Sequence, residues 1–285
     1  MSIRKHLDEI GRTWALLPPA ERIAFVGRLL RVAAGPRSSL LKARLSNGAV
    51  VYGPNKSHHG GRAIYLYRDL YEQELASLGM FLRPGSVFVD VGANVGSYAV
   101  KAAKEVGESG IVVAVEPSPA TSAYLVESAR RGHLSNLRIR TYCLGESTTH
   151  STFYLSNDGP TSYSLARPET PTESISIFTV SLDDLCAWEG LQRLDYLKID
   201  AEGVEESILC GGIASIMRFR PIIQVEAFIR NPKLPVEDYL AFRASGSSNA
   251  VFVPRENQTA IQAARDLGWV EEEASREEAV SNSCI

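Results

Sequence analysis

Two acidic residues, Asp90 and Glu116, each end a β-branched, apolar run that has the composition of a buried strand. The two carboxylate oxygens of Glu116 could accept hydrogen bonds from the two hydroxyls of a ribose. Asp90 could face the ammonium group of an amino-acid-like ligand. A nucleoside that carries an amino acid satisfies both carboxylates, and S-adenosylmethionine is such a molecule.

A glycine-containing turn, Gly92-Ala93-Asn94-Val95-Gly96, joins the first run to a helix-compatible segment. Glycine lets the backbone approach a ligand, and unpaired N–H groups at a helix start favour an anionic or strongly polar group. Dinucleotide enzymes carry Gly-x-Gly-x-x-Gly at such a turn, but Asn94 replaces the second glycine here. The turn favours S-adenosylmethionine over NAD. A nicotinamide-dependent oxidoreductase and a non-catalytic nucleoside-binding module remain the alternatives.

A second polar cluster contains Asp200 and Glu202, directly after the apolar run 194–199. A hydroxyl oxygen becomes a good nucleophile when a base takes its proton. Our hypothesis is that Asp200 or Glu202 is this base, acting directly or through a divalent ion that acidifies the hydroxyl. The alternative is that Asp200 orients a cofactor and Glu202 caps the next helix. His150 is a third candidate.

Strand-like runs that alternate with helix-like segments must position these residues. The predicted strands are residues 87–91, 111–115, 137–141, 175–180, 194–199, 221–225 and 251–253. Two helices are predicted late in the chain, around 238–242 and from 259 to 267. The alternation predicts an α/β fold with a parallel sheet and right-handed crossovers. The polar insertion 147–172 has the length of a lid or a substrate-binding loop.

The motifs at 90–96, 115–119 and 197–205 together resemble the FkbM family of methyltransferases, over roughly residues 75–226. The resemblance implies a class I, Rossmann-like methyltransferase fold, with a mostly parallel seven-stranded sheet and helices on both faces. It also implies S-adenosyl-L-methionine as the cofactor. The methyl group would usually go to a hydroxyl oxygen of a sugar, a glycolipid or a polyketide natural product.

The resemblance implies a role for each residue of the site. The methionine end of the cofactor would be held by Asp90 and by the turn residues Gly92, Ala93, Asn94 and Gly96. Glu116 would hold the ribose, beside a wall shaped by Pro117 and Ser118, and Cys143 and Leu144 would lie against the adenine. The acidic pair Asp200 and Glu202 would face the transferring methyl group.

The domain organisation is predicted from changes of pattern along the chain. Residues 1–70 form a helical and hairpin N-terminal extension, residues 71–270 the methyltransferase domain, and residues 271–285 an acidic tail without fixed structure. Asn47-Gly48 between alternating apolar residues predicts the hairpin. The basic extension could cap the catalytic domain, dimerise or contact a membrane surface.

The composition of the 285 residues, 45% hydrophobic with a net charge of −3, is that of a globular protein with a sizeable core. No apolar run approaches the roughly 20 residues of a membrane span, so we expect a cytoplasmic protein. Few aromatic residues accompany the basic ones, which argues against nucleic acid. The family resemblance implies a small-molecule or glycan acceptor as the partner. Four scattered cysteines predict reduced thiols, and no metal site is indicated.

Overall fold

The structure is a computed structural model whose described part contains 14 strands and nine α-helices with the bounds given below, and a 3₁₀ helix at Arg68–Tyr71. It describes residues 10–11, 13–56, 60–155, 163–164, 173–201, 203–226 and 234–272. The strands are β1 (Leu40–Arg44), β2 (Val50–Pro54), β3 (Val87–Val91), β4 (Ile111–Val115), β5 (Leu137–Arg140), β6 (Cys143–Gly145), β7 (Thr149–Leu155), β8 (Tyr163–Ser164), β9 (Glu173–Ser181), β10 (Tyr196–Ile199), β11 (Ile222–Glu226), β12 (Tyr239–Arg243), β13 (Asn249–Pro254) and β14 (Val270–Glu272). The helices are α1 (Pro19–Ala34), α2 (Gly61–Tyr67), α3 (Gln73–Phe81), α4 (Ser97–Val106), α5 (Pro119–Gly132), α6 (Leu182–Trp188), α7 (Glu205–Cys210), α8 (Ile213–Phe219) and α9 (Gln258–Asp266).

The central sheet has eight strands in the order β14-β12-β13-β11-β10-β3-β4-β5. The four pairings from β11 to β5 are parallel, and the three beyond β11 are antiparallel. The α/β class with a parallel centre is therefore confirmed, whereas the sheet has one strand more than expected. The predicted strand 175–180 lies in β9, which belongs to a separate sheet of order β6-β9-β7-β8.

The predicted helix at 238–242 is wrong. Residues Tyr239–Arg243 form β12, which pairs with β13 on one side and with β14 on the other. Aromatic residues pack well on a pleated surface, and pairing on both edges outweighs the weak helical spacing that the sequence shows there.

The central strands are buried on both faces, which explains their nearly continuous apolar sequences. All five residues of β3 are buried. Phe88 belongs to the cluster that also contains the buried side chains of α3 and α4. Val87 and Val89 point to the opposite cluster, which includes Leu182 and Leu185 of α6. The centre of the sheet is thus covered by helices on both sides, and its strand ends are where a ligand usually binds in such a fold.

The N-terminal region adds a helix and a hairpin to this core. Phe25 of α1 packs against Leu66 and Tyr67 in a third apolar cluster. The predicted hairpin is present as β1 and β2. Residues 1–9 and 273–285, which include the start of the extension and most of the predicted tail, lie outside the described residues.

The cysteines depart in part from the prediction of reduced thiols. Cys143 and Cys186 are free and buried, but Cys210 is disulfide-bonded. Among the described residues no group of His, Cys, Asp or Glu side chains is arranged to hold a metal ion. No helix in the same part of the chain has both the length and the apolarity of a membrane span.

Candidate active site

The predicted acidic residues meet at one edge of the central sheet. Strands β10, β3 and β4 are parallel neighbours, so their carboxyl ends point the same way. Asp90 lies in β3, Glu116 follows β4 and Asp200 follows β10. The register of the strands sets Asp90 directly beside Lys198 of β10. The sequence motifs, far apart along the chain, therefore form one polar cluster.

The turn between β3 and α4 is held by its own hydrogen bonds. The N–H groups of Gly92 and Ala93 both donate to the Val115 carbonyl, at 3.0 Å each. Asn94 N–H donates to Glu116 Oε2 at 2.9 Å. The next two N–H groups, of residues 95 and 96, donate within the turn itself. All five N–H groups of residues 92–96 therefore have acceptors in the protein.

Glycine is required at two places in the turn by the packing around it. Gly92 has a φ of +75°, and a Cβ there would lie 1.8 Å from the carbonyl oxygen of Asp200. Gly96 has a φ of +91°, and a Cβ there would lie 2.3 Å from Leu125 Cδ1 on α5. Both glycines therefore allow close packing between parts of the protein, in the left-handed region that L side chains rarely adopt.

Glu116 is nearly buried and is oriented by backbone groups on both sides. Its Oε2 accepts from Asn94 N–H and its Oε1 from Ser118 N–H, each at 2.9 Å. Burial raises the pKa of Glu116, although these two hydrogen bonds oppose the shift. Each carboxylate oxygen has a second lone pair, so the oriented carboxylate can still accept hydrogen bonds from a ligand.

The other predicted cofactor residues line the same strand ends. Ser118 caps α5, since its hydroxyl accepts a hydrogen bond from Thr121 N–H. Pro117 is half-buried between Glu116 and this cap. Cys143 and Leu144 open β6 and are buried. Burial, together with the charge of Glu116, raises the pKa of the Cys143 thiol to about 12.

Lys198, which the sequence interpretation missed, joins the acids of β3 and β10. Its Nζ lies 3.1 Å from Asp200 Oδ2 and 3.6 Å from Asp90 Oδ1. Its side chain is only 5% exposed, and the nitrogen sits 5.0 Å from the centre of the Tyr98 ring. Burial opposes the charge, but Asp200, Asp90 and Glu72 outweigh it and raise the pKa of Lys198. The ammonium group is therefore held charged inside the protein.

Asp90 and Asp200 share this lysine but differ in exposure and in pKa. Asp90 has no exposed surface. Its Oδ2 accepts from Ala99 N–H at 3.0 Å, and its Oδ1 has no hydrogen-bond partner among the described residues. Burial raises the pKa of Asp90. Burial acts the same way on Asp200, but Lys198 and a hydrogen bond with Glu226 prevail and lower its pKa. The Asp200 side chain is 35% exposed, so solvent can reach it.

A chain of hydrogen bonds lies behind this ion-pair cluster. Tyr98 hydroxyl donates to Glu72 Oε2 at 2.5 Å, and Gln224 Nε2 donates to the Tyr98 oxygen at 3.0 Å. Tyr196 hydroxyl donates to Gln224 Oε1 at 2.9 Å. Burial raises the pKa of Glu72. The chain connects α4, β10 and β11 behind the strand ends and holds Tyr98 over Lys198.

The other two candidates for the base are Glu202 and His150. Glu202 lies outside the described residues. His150 is on β7 in the four-stranded sheet, where its ring meets Phe178 edge-on at 5.4 Å between ring centres. Asp200 is therefore the candidate base whose surroundings the structure describes.

Comparisons with known proteins show the family of the chain. The family model for the methyltransferase FkbM domain matches residues 90–244, more than half of the chain. The 31-O-demethyl-FK506 methyltransferase FkbM of Streptomyces tacrolimicus is 31% identical over 199 residues, which are 59% of this chain and 74% of that protein. The 2-O-methyltransferase NoeI of Sinorhizobium fredii (strain NBRC 101917 / NGR234) is 26% identical over 153 residues, 48% of this chain and 62% of that protein.

Among solved structures, methyltransferase FkbM from Methylobacillus flagellatus KT is 16% identical with a TM-score of 0.42. The match covers 82% of this chain and 60% of that one. The chain thus spans less than two thirds of NoeI and of this crystal structure. The matched range, residues 90–244, includes Asp90, Glu116, Lys198 and Asp200 of this chain. On the family model and the 31% identical relative, this chain belongs to the FkbM family of methyltransferases.

Proposed function

We propose that this chain transfers a methyl group from S-adenosyl-L-methionine to a hydroxyl oxygen of a sugar, a glycolipid or a natural product. The observation that carries the proposal is the meeting of Glu116 with the Asp90, Lys198 and Asp200 cluster at adjacent strand ends. Two family members that resemble the chain are named for O-methyl transfer.

The residues fit the cofactor. Glu116 has free lone pairs for the two ribose hydroxyls, and Cys143 with Leu144 offers a buried, apolar surface for the adenine. The turn Gly92, Ala93, Asn94 and Gly96 would border the methionine end, with Pro117 and Ser118 as the adjoining wall. Because Asp90 is fully buried, it would not touch the cofactor directly. It would hold Lys198 and the first turn of α4 in position behind the cofactor site.

Asp200 would act on the acceptor. When bound, S-adenosyl-L-methionine supplies a methyl group already activated by its sulfonium. The carboxylate of Asp200 would orient the acceptor hydroxyl and take its proton as the new C–O bond forms. Lys198 keeps this carboxylate ionised, and the ion pair holds it in one position. The alternatives for the same step are Glu202 as the base and a divalent ion that acidifies the hydroxyl.

The turn argues against the nicotinamide alternative. A pyrophosphate is usually held by free N–H groups at a glycine-rich helix start. Here the five N–H groups of residues 92–96 are already used within the protein. A dinucleotide would therefore find no free N–H donor among residues 92–96.

Calorimetry with S-adenosylhomocysteine and with NAD tests the proposed cofactor. We expect S-adenosylhomocysteine to bind and NAD not to bind. Transfer of a labelled methyl group to a hydroxylated metabolite from the source cell would then identify the acceptor. Binding of NAD alone would support the oxidoreductase. S-adenosylhomocysteine binding without transfer to any acceptor would support the non-catalytic module.

The Glu116→Ala variant is expected to bind S-adenosylhomocysteine about tenfold more weakly or worse. The change removes two charge-assisted acceptors for the ribose and leaves the N–H groups of Asn94 and Ser118 without their carboxylate. Calorimetry measures the effect. Glu127→Ala, on the exposed face of α5, is the matched control and should bind normally. Equal affinity of both variants would remove Glu116 from the cofactor site.

A further inference from the structure

Helix α1 carries apolar residues on two opposite faces. Phe25 is buried against the rest of the protein, with Leu29 and Val32 beside it. Successive helical residues are rotated by about 100°, which places Ile23 and Leu30 on the side away from Phe25. Ile23 is 81% exposed and Leu30 is 65% exposed. A helix that needs only one apolar face to pack on its domain therefore presents a second one to the outside.

The second face forms a continuous apolar surface, which we call the outer stripe. Ile23, Val26 and Leu30 form its large members, and Gly27 and Ala34 fall on the same side by helical spacing. All three large members are exposed. An unpartnered aliphatic stripe of this length on a surface helix is typical of an interaction site.

Basic side chains border the outer stripe on both sides. Helical spacing places Arg22 on one border and Arg31 on the other. The helix has one acid, Glu21, whose carboxylate lies 3.8 Å from Arg68 on the domain side. Exposed Arg37 follows the helix. The border is therefore positive, with no acid on the helix turned toward it.

This charge distribution favours an anionic lipid surface over a second copy of the chain as the partner of the outer stripe. A second copy of the chain, packed stripe to stripe, would bring the arginines of both helices together without an acid between them. An anionic lipid surface accepts aliphatic side chains among its acyl chains and pairs with arginines at the headgroup level. Trp14 stacks under Arg22, with 5.3 Å between the guanidinium carbon and the ring centre, and is 42% exposed. Tryptophan is enriched at this level of a membrane.

We propose that α1 lies flat on an anionic lipid surface through the outer stripe, with Arg22 and Arg31 at the headgroups. The proposal rests on the exposed helix face and does not depend on the methyl donor. It predicts reversible, salt-sensitive binding, because one amphipathic helix with a few basic residues gives only modest affinity.

Flotation of the full chain with unilamellar vesicles tests the proposal. We expect binding to vesicles of phosphatidylcholine and phosphatidylglycerol in a three-to-one ratio, and much weaker binding to phosphatidylcholine alone. The double variant Ile23→Ser, Leu30→Ser should bind the anionic vesicles about tenfold less or worse. The matched control Val126→Ser, Met217→Ser changes two exposed apolar residues on other helices and should bind as the unchanged chain does.

Several results would overturn the proposal. One is failure of the unchanged chain to float with anionic vesicles, a result that needs no variant to be folded. Another is equal binding of the stripe variant and the control. A third is an unchanged chain that is dimeric in solution and does not bind vesicles. If the stripe variant were then monomeric and the control still dimeric, the stripe would be assigned to a second copy of the chain.

Discussion

Asp200→Asn is expected to lower the rate of methyl transfer by about 10²–10⁴-fold, the usual contribution of a positioned base. Asparagine keeps the size of the side chain but cannot take the proton of the acceptor. Since Asp200 is placed on the acceptor side, S-adenosylhomocysteine should still bind. The measurements are the turnover of the acceptor that the labelled-methyl screen identifies and the affinity for S-adenosylhomocysteine by calorimetry.

Asp195→Asn is the matched control for this variant. Asp195 precedes the same strand, β10, at its amino end, where its carboxylate accepts from Val87 N–H at 2.7 Å. The asparagine oxygen can still accept this bond, so turnover should stay close to that of the unchanged chain. If Asp200→Asn turned over as fast as Asp195→Asn, Asp200 would be excluded as the base and Glu202 would become the first candidate.

Lys198→Met is expected to lower the free energy of unfolding by about 3–5 kcal/mol at neutral pH, the range found when one partner of a buried ion pair is removed. Methionine fills much of the same space, but it leaves Asp90 and Asp200 near each other without a cation. Urea unfolding at pH 7 measures the loss. A loss well below 1 kcal/mol would show that the lysine does not stabilise the two acids.

The loss in Lys198→Met should shrink as the pH falls from 7 toward about 4, near the ordinary pKa of aspartate. Lys198 lowers the pKa of both Asp90 and Asp200, so its removal should raise both pKa values, and protonation on acidification should then restore part of the stability. In the unchanged chain the pKa of Asp200 is lowered, and its stabilisation persists until the pH falls below that ordinary value. A loss that is independent of pH would contradict this account.

Lys101→Met is the matched control for the lysine. Lys101 is equally buried and pairs with Asp69, away from the strand ends. Its loss should also destabilise the fold but should leave binding of S-adenosylhomocysteine unchanged in the folded protein. Lys198→Met should weaken that binding, because Asp90 and the first turn of α4 lose their fixed position.

The sequence predicted the parallel strands and the acids at their ends because both depend on local pattern. Asp90, Glu116 and Asp200 follow apolar runs, and parallel neighbours bring such ends together. Lys198 and Gln224 were missed because their roles depend on strand register, which a single sequence does not display. A signal was nevertheless present. Each is a polar residue in a strand, and the residues directly before and after it are apolar and buried.

The failures have different physical causes. The segment 238–242 was predicted as a helix, although pairing on both edges makes it a strand. Cys210 was predicted to be a reduced thiol, although it is disulfide-bonded. In both cases a distant or side-chain partner, invisible in local spacing, decided the outcome.

The contact between Gly92 and the carbonyl of Asp200 has a mechanical consequence. With no room for even a methyl group between them, the loop that borders the donor and the strand end that bears the carboxylate are braced against each other. Donor and acceptor would thus be presented on one rigid frame, with their separation set by main-chain atoms. Side chains farther out could then be exchanged to admit new acceptors without altering the distance across which the methyl group travels.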